Sequence, residues 1–146
     1  MNYQESLAYL DELCVFGINL GLARIEKLLY LLGEPQKQYK TIHITGTNGK
    51  GSVTAMVSSM LNAAGIRTGM YISPHLSSYT ERMVVAGKPV TEEQFAEAIS
   101  VVRDICDFMQ SQGEEHPTQF EVITAAAFLL FQKQQVEYAV IEVGLG

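Results

Sequence analysis

The sequence predicts an α/β fold, a parallel sheet flanked by helices. Three observations lead there. Short runs rich in β-branched and apolar residues at 41–45, 66–72 and 138–141 have the length and composition of strands. Segments with apolar residues at helical spacing separate them. The strand segments read as apolar runs rather than strict alternation, as in strands covered on both faces. There is no internal repeat and no low-complexity stretch.

Taken in order, residues 3 to 14 place Leu7, Leu10, Leu13 and Cys14 on one helical face, and Ile25, Leu28, Leu29 and Leu32 repeat the pattern. Gly33 and Pro35 stop that second helix. Between the two, residues 15 to 21 carry two glycines and read as a loop. Residues 41 to 45, Thr-Ile-His-Ile-Thr, read as a buried strand, in which His43 is expected as a hydrogen-bonded core histidine. The run Gly46-Thr47-Asn48-Gly49-Lys50-Gly51-Ser52 follows. Val53, Met56, Val57, Met60, Leu61 and Ala64 then define a helix that Gly65 ends. After the strand at 66–72 comes Ser73-Pro74-His75-Leu76, a loop at its C-terminal end. Residues 83 to 90 suggest a hairpin around Gly87-Lys88. Thr91 and Gln94 form a capping-box pattern before a helix whose apolar face is Phe95, Ile99, Val102, Ile105 and Met109. A polar linker, 113–117, leads to a second capping box, Thr118 with Glu121, and a mostly apolar helix running through Phe131. The strand at 138–141 is followed by Glu142.

Composition narrows the function. The 146 residues carry 10 Lys+Arg against 16 Asp+Glu, a net charge of −6, and 47% are hydrophobic. Such a chain is expected to form one compact globular domain. The scattered basic residues argue against nucleic-acid binding, which needs them clustered. The longest apolar run, Val122 to Phe131, is about half the ~20 residues of a membrane span. With no basic region ahead of an apolar run at the N-terminus, the expected location is the cytoplasm. Cys14 and Cys106 stand far apart, with no C-x-x-C and no histidine at zinc-ligand spacing.

Chemistry concentrates where the first strand meets its helix. Glycines there let backbone N–H groups converge on a phosphate, the helix N-terminus adds partial positive charge, and a lysine neutralises phosphate oxygens. Gly46, Gly49 and Lys50 fit that recipe. The common G-x-x-x-x-G-K-[ST] spacing is not met, because residue 44 is Ile and Gly51 follows the lysine. The hydroxyl that usually follows lysine and binds Mg²⁺ is therefore missing, and another oxygen must serve. In parallel sheets ligands gather at the C-terminal ends of strands. Ser73 and Glu142 stand at two such ends, and hard Mg²⁺ prefers oxygens. Against this, a loop serine often only caps a turn. An acid after four apolar strand residues is costly to desolvate without a partner such as a cation. His75 could reach the site or simply satisfy a backbone carbonyl. Glu81-Arg82 is open between a local ion pair and a substrate contact, and Glu121 reads first as a capping carboxylate.

HITGTNGKGSV, YISPHLSSYTERMVV, PTQFEVITAAAF and IEVGLG, in that order and spacing, closely resemble the folylpolyglutamate synthase/dihydrofolate synthase family, a branch of the Mur ligase superfamily. The opening AYLDELCVFGINLGLARIEKLL is similar to the family's N-terminal helix and substrate loop, so the resemblance covers nearly the whole chain. It implies the P-loop-like central ATPase domain of a Mur ligase, with residues 1–40 as a helical substrate-loop region. It implies an ATP-dependent amide ligase that phosphorylates a carboxylate of dihydropteroate or a folate and then joins L-glutamate to it, as a monomer. Carried over by residue, Thr47, Asn48, Gly49, Lys50, Gly51 and Ser52 match the ATP-phosphate loop, with Lys50 acting on the transferred phosphate. Ser73 and Glu142 match the first Mg²⁺ ligands. Glu12, Leu13, Cys14 and Val15, with Thr118, Gln119, Phe120 and Glu121, match two pterin-side segments. The family often has Ser or His where this chain has Cys14-Val15. It also continues past G-L-G into G-R-[LF]-D-x-T-N, a second-metal histidine, a lysine and a C-terminal domain. The expectation is therefore an incomplete ATPase domain that does not turn over by itself. Two rivals are a Mur-type ligase for another carboxylate, which the pterin segments disfavour, and a non-catalytic nucleotide-binding remnant, which intact Lys50, Ser73 and Glu142 disfavour.

Overall fold

The computed structural model describes residues 1–46, 48–73 and 78–142. These form two compact units, one from Met1–Pro35 with Glu92–Leu130, the other from Gln36–Thr91 with Phe131 onward.

The first unit is helical. Asn2 caps α1 (Tyr3–Glu12) in a full capping box with Glu5: the Glu5 N–H donates to Asn2 Oδ1 at 2.8 Å and the Asn2 N–H to Glu5 Oε1 at 2.9 Å. A 3₁₀ turn, Leu13–Phe16, follows directly, so Val15 and Phe16 are ordered in a turn where the two nearby glycines suggest open loop. α2 (Ala23–Leu31) ends as expected at Gly33, whose φ of 87° suits a residue without a side chain. α4 (Glu92–Ser111) packs against α1 and α2. Leu10, Leu13, Leu28, Phe95, Ile99, Val102 and Met109 fill the core, and Tyr3 meets the Phe95 ring edge-on at 5.7 Å. α5 (Gln119–Lys133) is buried around most of its circumference from Val122 to Leu130, as its composition requires.

The second unit is built on a five-stranded sheet in the order β1-β5-β2-β3-β4. β1 (Lys40–Ile44), β5 (Tyr138–Glu142) and β2 (Thr68–Tyr71) are parallel, with Ile44 opposite Glu142 and Tyr71 opposite Ile141. β3 (Met83–Val85) and β4 (Lys88–Pro89) add an antiparallel hairpin on β2, so the sheet is mixed rather than purely parallel. Ala86 (φ 51°) and Gly87 (φ 82°) make the turn, the paired positive φ that a tight hairpin needs. α3 (Lys50–Ala63) lies against β1, β5 and β2.

Two readings of the sequence are corrected here. β1 is partly exposed, and His43 is exposed rather than a core residue, because β1 stands at one end of the sheet among the described residues. The helical period of α3 is right, but its buried face is not the apolar one. Thr54 and Ser58 are buried while Val53, Met56 and Met60 are exposed. The buried Thr54 hydroxyl donates to the Lys50 carbonyl at 2.7 Å, which removes the cost of enclosing it.

Gly69 of β2 is required by packing. A Cβ there would lie 2.7 Å from Phe131 Cδ1, against a fully buried ring that cannot swing aside. Gly69→Ala is expected to destabilise the second unit by about 1–3 kcal/mol, the usual cost of overpacking. Chemical denaturation checks this, and an unchanged midpoint would mean that the ring is looser than its burial indicates.

Candidate functional site

In the second unit, the C-terminal ends of β1, β5 and β2 fall at one edge of the sheet. β1 leads through Thr45 and Gly46 into α3. Gly49 caps that helix with a left-handed φ of 74°, and among the described residues no side chain caps it. Its first-turn N–H groups therefore lack the side-chain oxygen that a Ser, Thr, Asn or Asp cap provides, and an anion can take that place. Gly46 and Gly49 have nothing within 4 Å of where a Cβ would stand, so the backbone here is open to close approach. Asn48, Gly49, Gly51 and Ser52 are exposed and Lys50 is half-buried; Thr47 lies outside the described residues.

Glu142 closes this edge. A Cβ on Gly51 would lie 3.7 Å from Glu142 Oε2, so the carboxylate stands beside the first turn of α3. The half-buried Ser73 follows β2 by two residues, at the same edge. A hydroxyl and a carboxylate beside a phosphate-binding turn are the oxygen donors a hard divalent cation takes, with phosphate oxygens and water completing its shell. His75 lies outside the described residues. Arg82 sits over the Tyr79 ring, 5.1 Å from its centre, a contact that the sequence does not suggest.

In the first unit, the two segments matched to a pterin side come together. Gln119 Nε2 donates to the Leu10 carbonyl at 2.9 Å and reaches Cys14 Sγ at 3.3 Å. The second capping box forms as read: Thr118 N–H donates to Glu121 Oε1 at 2.9 Å, and Glu121 N–H to Thr118 Oγ1 at 3.3 Å. Glu12, Cys14, Val15 and Phe120 face outward, whereas Leu13 is buried and serves the core. Val15 is 84% exposed and Leu20 87%, with Phe16, Ile18 and Leu22 also open. These exposed apolar residues are concentrated in one loop rather than scattered singly over the surface.

Sequence reasoning missed the residues that hold these segments. The His116 ring stacks on Phe16 at 5.2 Å and 3°, and its Nε2 is 3.2 Å from the Tyr9 hydroxyl. Its Nδ1 is 2.7 Å from the Pro117 carbonyl, which acts as acceptor, so Nδ1 carries the proton. The Tyr9 hydroxyl and the buried Cys106 thiol also act on each other electrostatically. Arg24 bonds Glu121 and Glu115, and Asn19 Nδ2 donates to Glu115 Oε2 at 3.3 Å. Apart from the His116 contact to its neighbour Pro117, these join residues about 90 or more positions apart, which no local motif can report.

Burial pushes the Cys106 thiol up to about 12. Iodoacetamide at about pH 8 is therefore expected to alkylate exposed Cys14 in the folded chain and spare Cys106; equal labelling in a peptide map would contradict this. The same shift sets a pH dependence. An unfolded thiol releases its proton near 9.0 and the folded one only near 12, so this group's contribution to stability falls as pH rises between those values.

Among the described residues no helix is long and apolar enough to cross a membrane, and no three His, Cys, Asp or Glu side chains gather as a metal cluster. No family model matches the chain. It is 34% identical over 145 residues to the dihydrofolate synthase/folylpolyglutamate synthase of Bacillus subtilis, covering 99% of this chain and 34% of that protein. Folylpolyglutamate synthase of Thermotoga maritima superposes with a TM-score of 0.88 at 44% identity, over 97% of this chain and 33% of that one. That of Mycobacterium tuberculosis complexed with ADP gives 0.87 at 39%, over 98% and 33%. Two thirds of each relative thus lies beyond the match. Over nearly its whole length, the chain is similar in sequence and fold to the folylpolyglutamate and dihydrofolate synthases, and it spans about one third of their length.

Proposed function

We propose that this chain carries the nucleotide-phosphate loop and the pterin side of an ATP-dependent ligase that adds L-glutamate to dihydropteroate or a folate. The observation that carries it is the open N-terminus of α3, led by left-handed Gly49, with the Glu142 carboxylate beside Gly51. Support also comes from the ADP complex of a similar synthase.

In this reading the γ-phosphoryl group of ATP passes to a substrate carboxylate oxygen. ADP leaves, and an acyl phosphate is formed. The amine of L-glutamate then attacks the acyl carbon; phosphate departs with the bonding pair, the amine loses a proton, and an amide remains. Phosphoryl transfer needs little covalent help from the protein, so its work is positioning and charge neutralisation. The N–H groups of residues 49 to 52 hold the phosphate oxygens at the helix N-terminus, and the Lys50 ammonium balances the charge that shifts toward the leaving diphosphate. Mg²⁺, held by the Ser73 hydroxyl and the Glu142 carboxylate, would neutralise further phosphate charge. The exposed 15–22 loop and the 118–121 segment hold the flat, partly apolar substrate. The reading makes the protein a cytoplasmic monomer acting on small molecules.

Glu142→Gln tests the metal ligand. The amide keeps the shape and removes the charge, so Mg²⁺-supported binding of AMPPCP is expected to need about tenfold more Mg²⁺, the scale of one lost charged contact. A wild-type Mg²⁺ titration curve in that variant would remove Glu142 from the site.

A further inference from the structure

Arg24 enters from the first turn of α2 with its side chain 12% exposed. Its Nε donates to Glu121 Oε1 at 3.0 Å, its Nη1 to Glu115 Oε2 at 3.5 Å, and its Nη2 to the Asn19 carbonyl. The Thr118 N–H donates to the same Glu121 Oε1. One oxygen of this carboxylate, in a residue only 7% exposed, therefore has two donors, while Oε2 has none among the described residues. Oε2 is not sealed away either: among the described residues, the side-chain oxygen enclosed without a partner is Gln36 Oε1.

A carboxylate saturated on one oxygen and open on the other is a directional acceptor. Because Arg24 already balances its charge, the open oxygen favours a neutral N–H over a cation. A pterin ring offers such donors at its lactam N–H and its exocyclic amino group. We propose that Arg24 is a positioning residue for pterin recognition: by holding Oε1 of Glu121 and balancing its charge, it fixes Oε2 as the acceptor for a ring N–H. This rests on the pterin-side reading of residues 118–121 given above. Lysine cannot substitute, since its ammonium is a point charge without the planar fork that reaches Glu121, Glu115 and Asn19 together.

The test is equilibrium titration of the chain with pteroate, read by fluorescence, for the wild type, Arg24→Lys, Glu121→Gln and the double variant. AMPPCP and p-aminobenzoylglutamate, which lacks the pterin ring, serve as comparison ligands. Arg24→Lys and Glu121→Gln are each expected to weaken pteroate about tenfold, the scale of one charged hydrogen bond. The double variant is expected to bind no worse than Glu121→Gln alone, because Arg24 acts through Glu121. The comparison ligands keep wild-type affinity, which general damage to the unit would not allow. If Glu121→Gln weakens pteroate and Arg24→Lys does not, or if the two losses multiply, Arg24 has no such role while the reading of Glu121 stands. If the wild type fails to bind pteroate, or Glu121→Gln binds it unchanged, the pterin-side reading falls and this proposal with it.

Discussion

Lys50→Ala is expected to weaken AMPPCP binding by about 10–100-fold, the value of one or two charge-assisted hydrogen bonds to phosphate, with the circular-dichroism spectrum unchanged. The reason is local. Lys50 is the first residue of α3, beside left-handed Gly49, where the helix has no side-chain cap among the described residues. Backbone N–H groups and the helix dipole remain in the variant, so binding is reduced rather than erased. Lys50→Arg should keep part of the affinity that Lys50→Ala loses, since the guanidinium retains the charge but directs it differently. Calorimetric titration with Mg²⁺ and AMPPCP checks both variants. Unchanged affinity in Lys50→Ala would mean that the loop does not hold phosphate.

Arg24→Met is expected to destabilise the helical unit by about 3–5 kcal/mol, because it leaves the Glu121 carboxylate buried without its cation. The pair is 3.0 Å apart with side chains 12% and 8% exposed, so solvent screens it little. Arg24→Met with Glu121→Leu should recover much of the loss, since an apolar pair of similar size avoids desolvating either charge. Urea denaturation of the two variants measures this. A double variant as unstable as the single one would show that the arginine stem, rather than its charge, supports the fold.

Much of the fold is legible in the sequence, because local chemistry fixes it. Glycines at 33 and 65 end helices where they should, Thr118 and Glu121 make their capping box, and the expected hairpin forms with its turn at Ala86-Gly87, one residue before Gly87-Lys88. The mixed sheet is half legible: the hairpin can be read, but nothing local says that β3 joins β2 antiparallel. The outward face of α3 misleads because a stripe such as Val53, Met56 and Met60 states a preference for cover without naming what supplies it. His43 misleads for a related reason, since an apolar strand pattern does not reveal a place at the end of a sheet.

The candidate site divides in the same way. The phosphate loop and Glu142 are visible because motif and strand end lie within a few residues of the chemistry. The Glu142–Gly51 approach needs the fold, which brings β5 beside the start of α3. Arg24, Asn19 and His116 are invisible in one sequence. Each acts on a partner about 90 residues or more away, apart from the Arg24 contact to the Asn19 carbonyl and His116's own bond to Pro117.

The most direct measurement is a two-dimensional amide NMR titration of the chain with Mg²⁺ and AMPPCP, in wild type and Lys50→Ala. The expected result is that the largest shifts fall on residues 46 to 52 and on Glu142, and that they shrink in the variant at equal ligand. Largest shifts elsewhere, or identical shifts in Lys50→Ala, would contradict the assignment of this loop to a nucleotide phosphate.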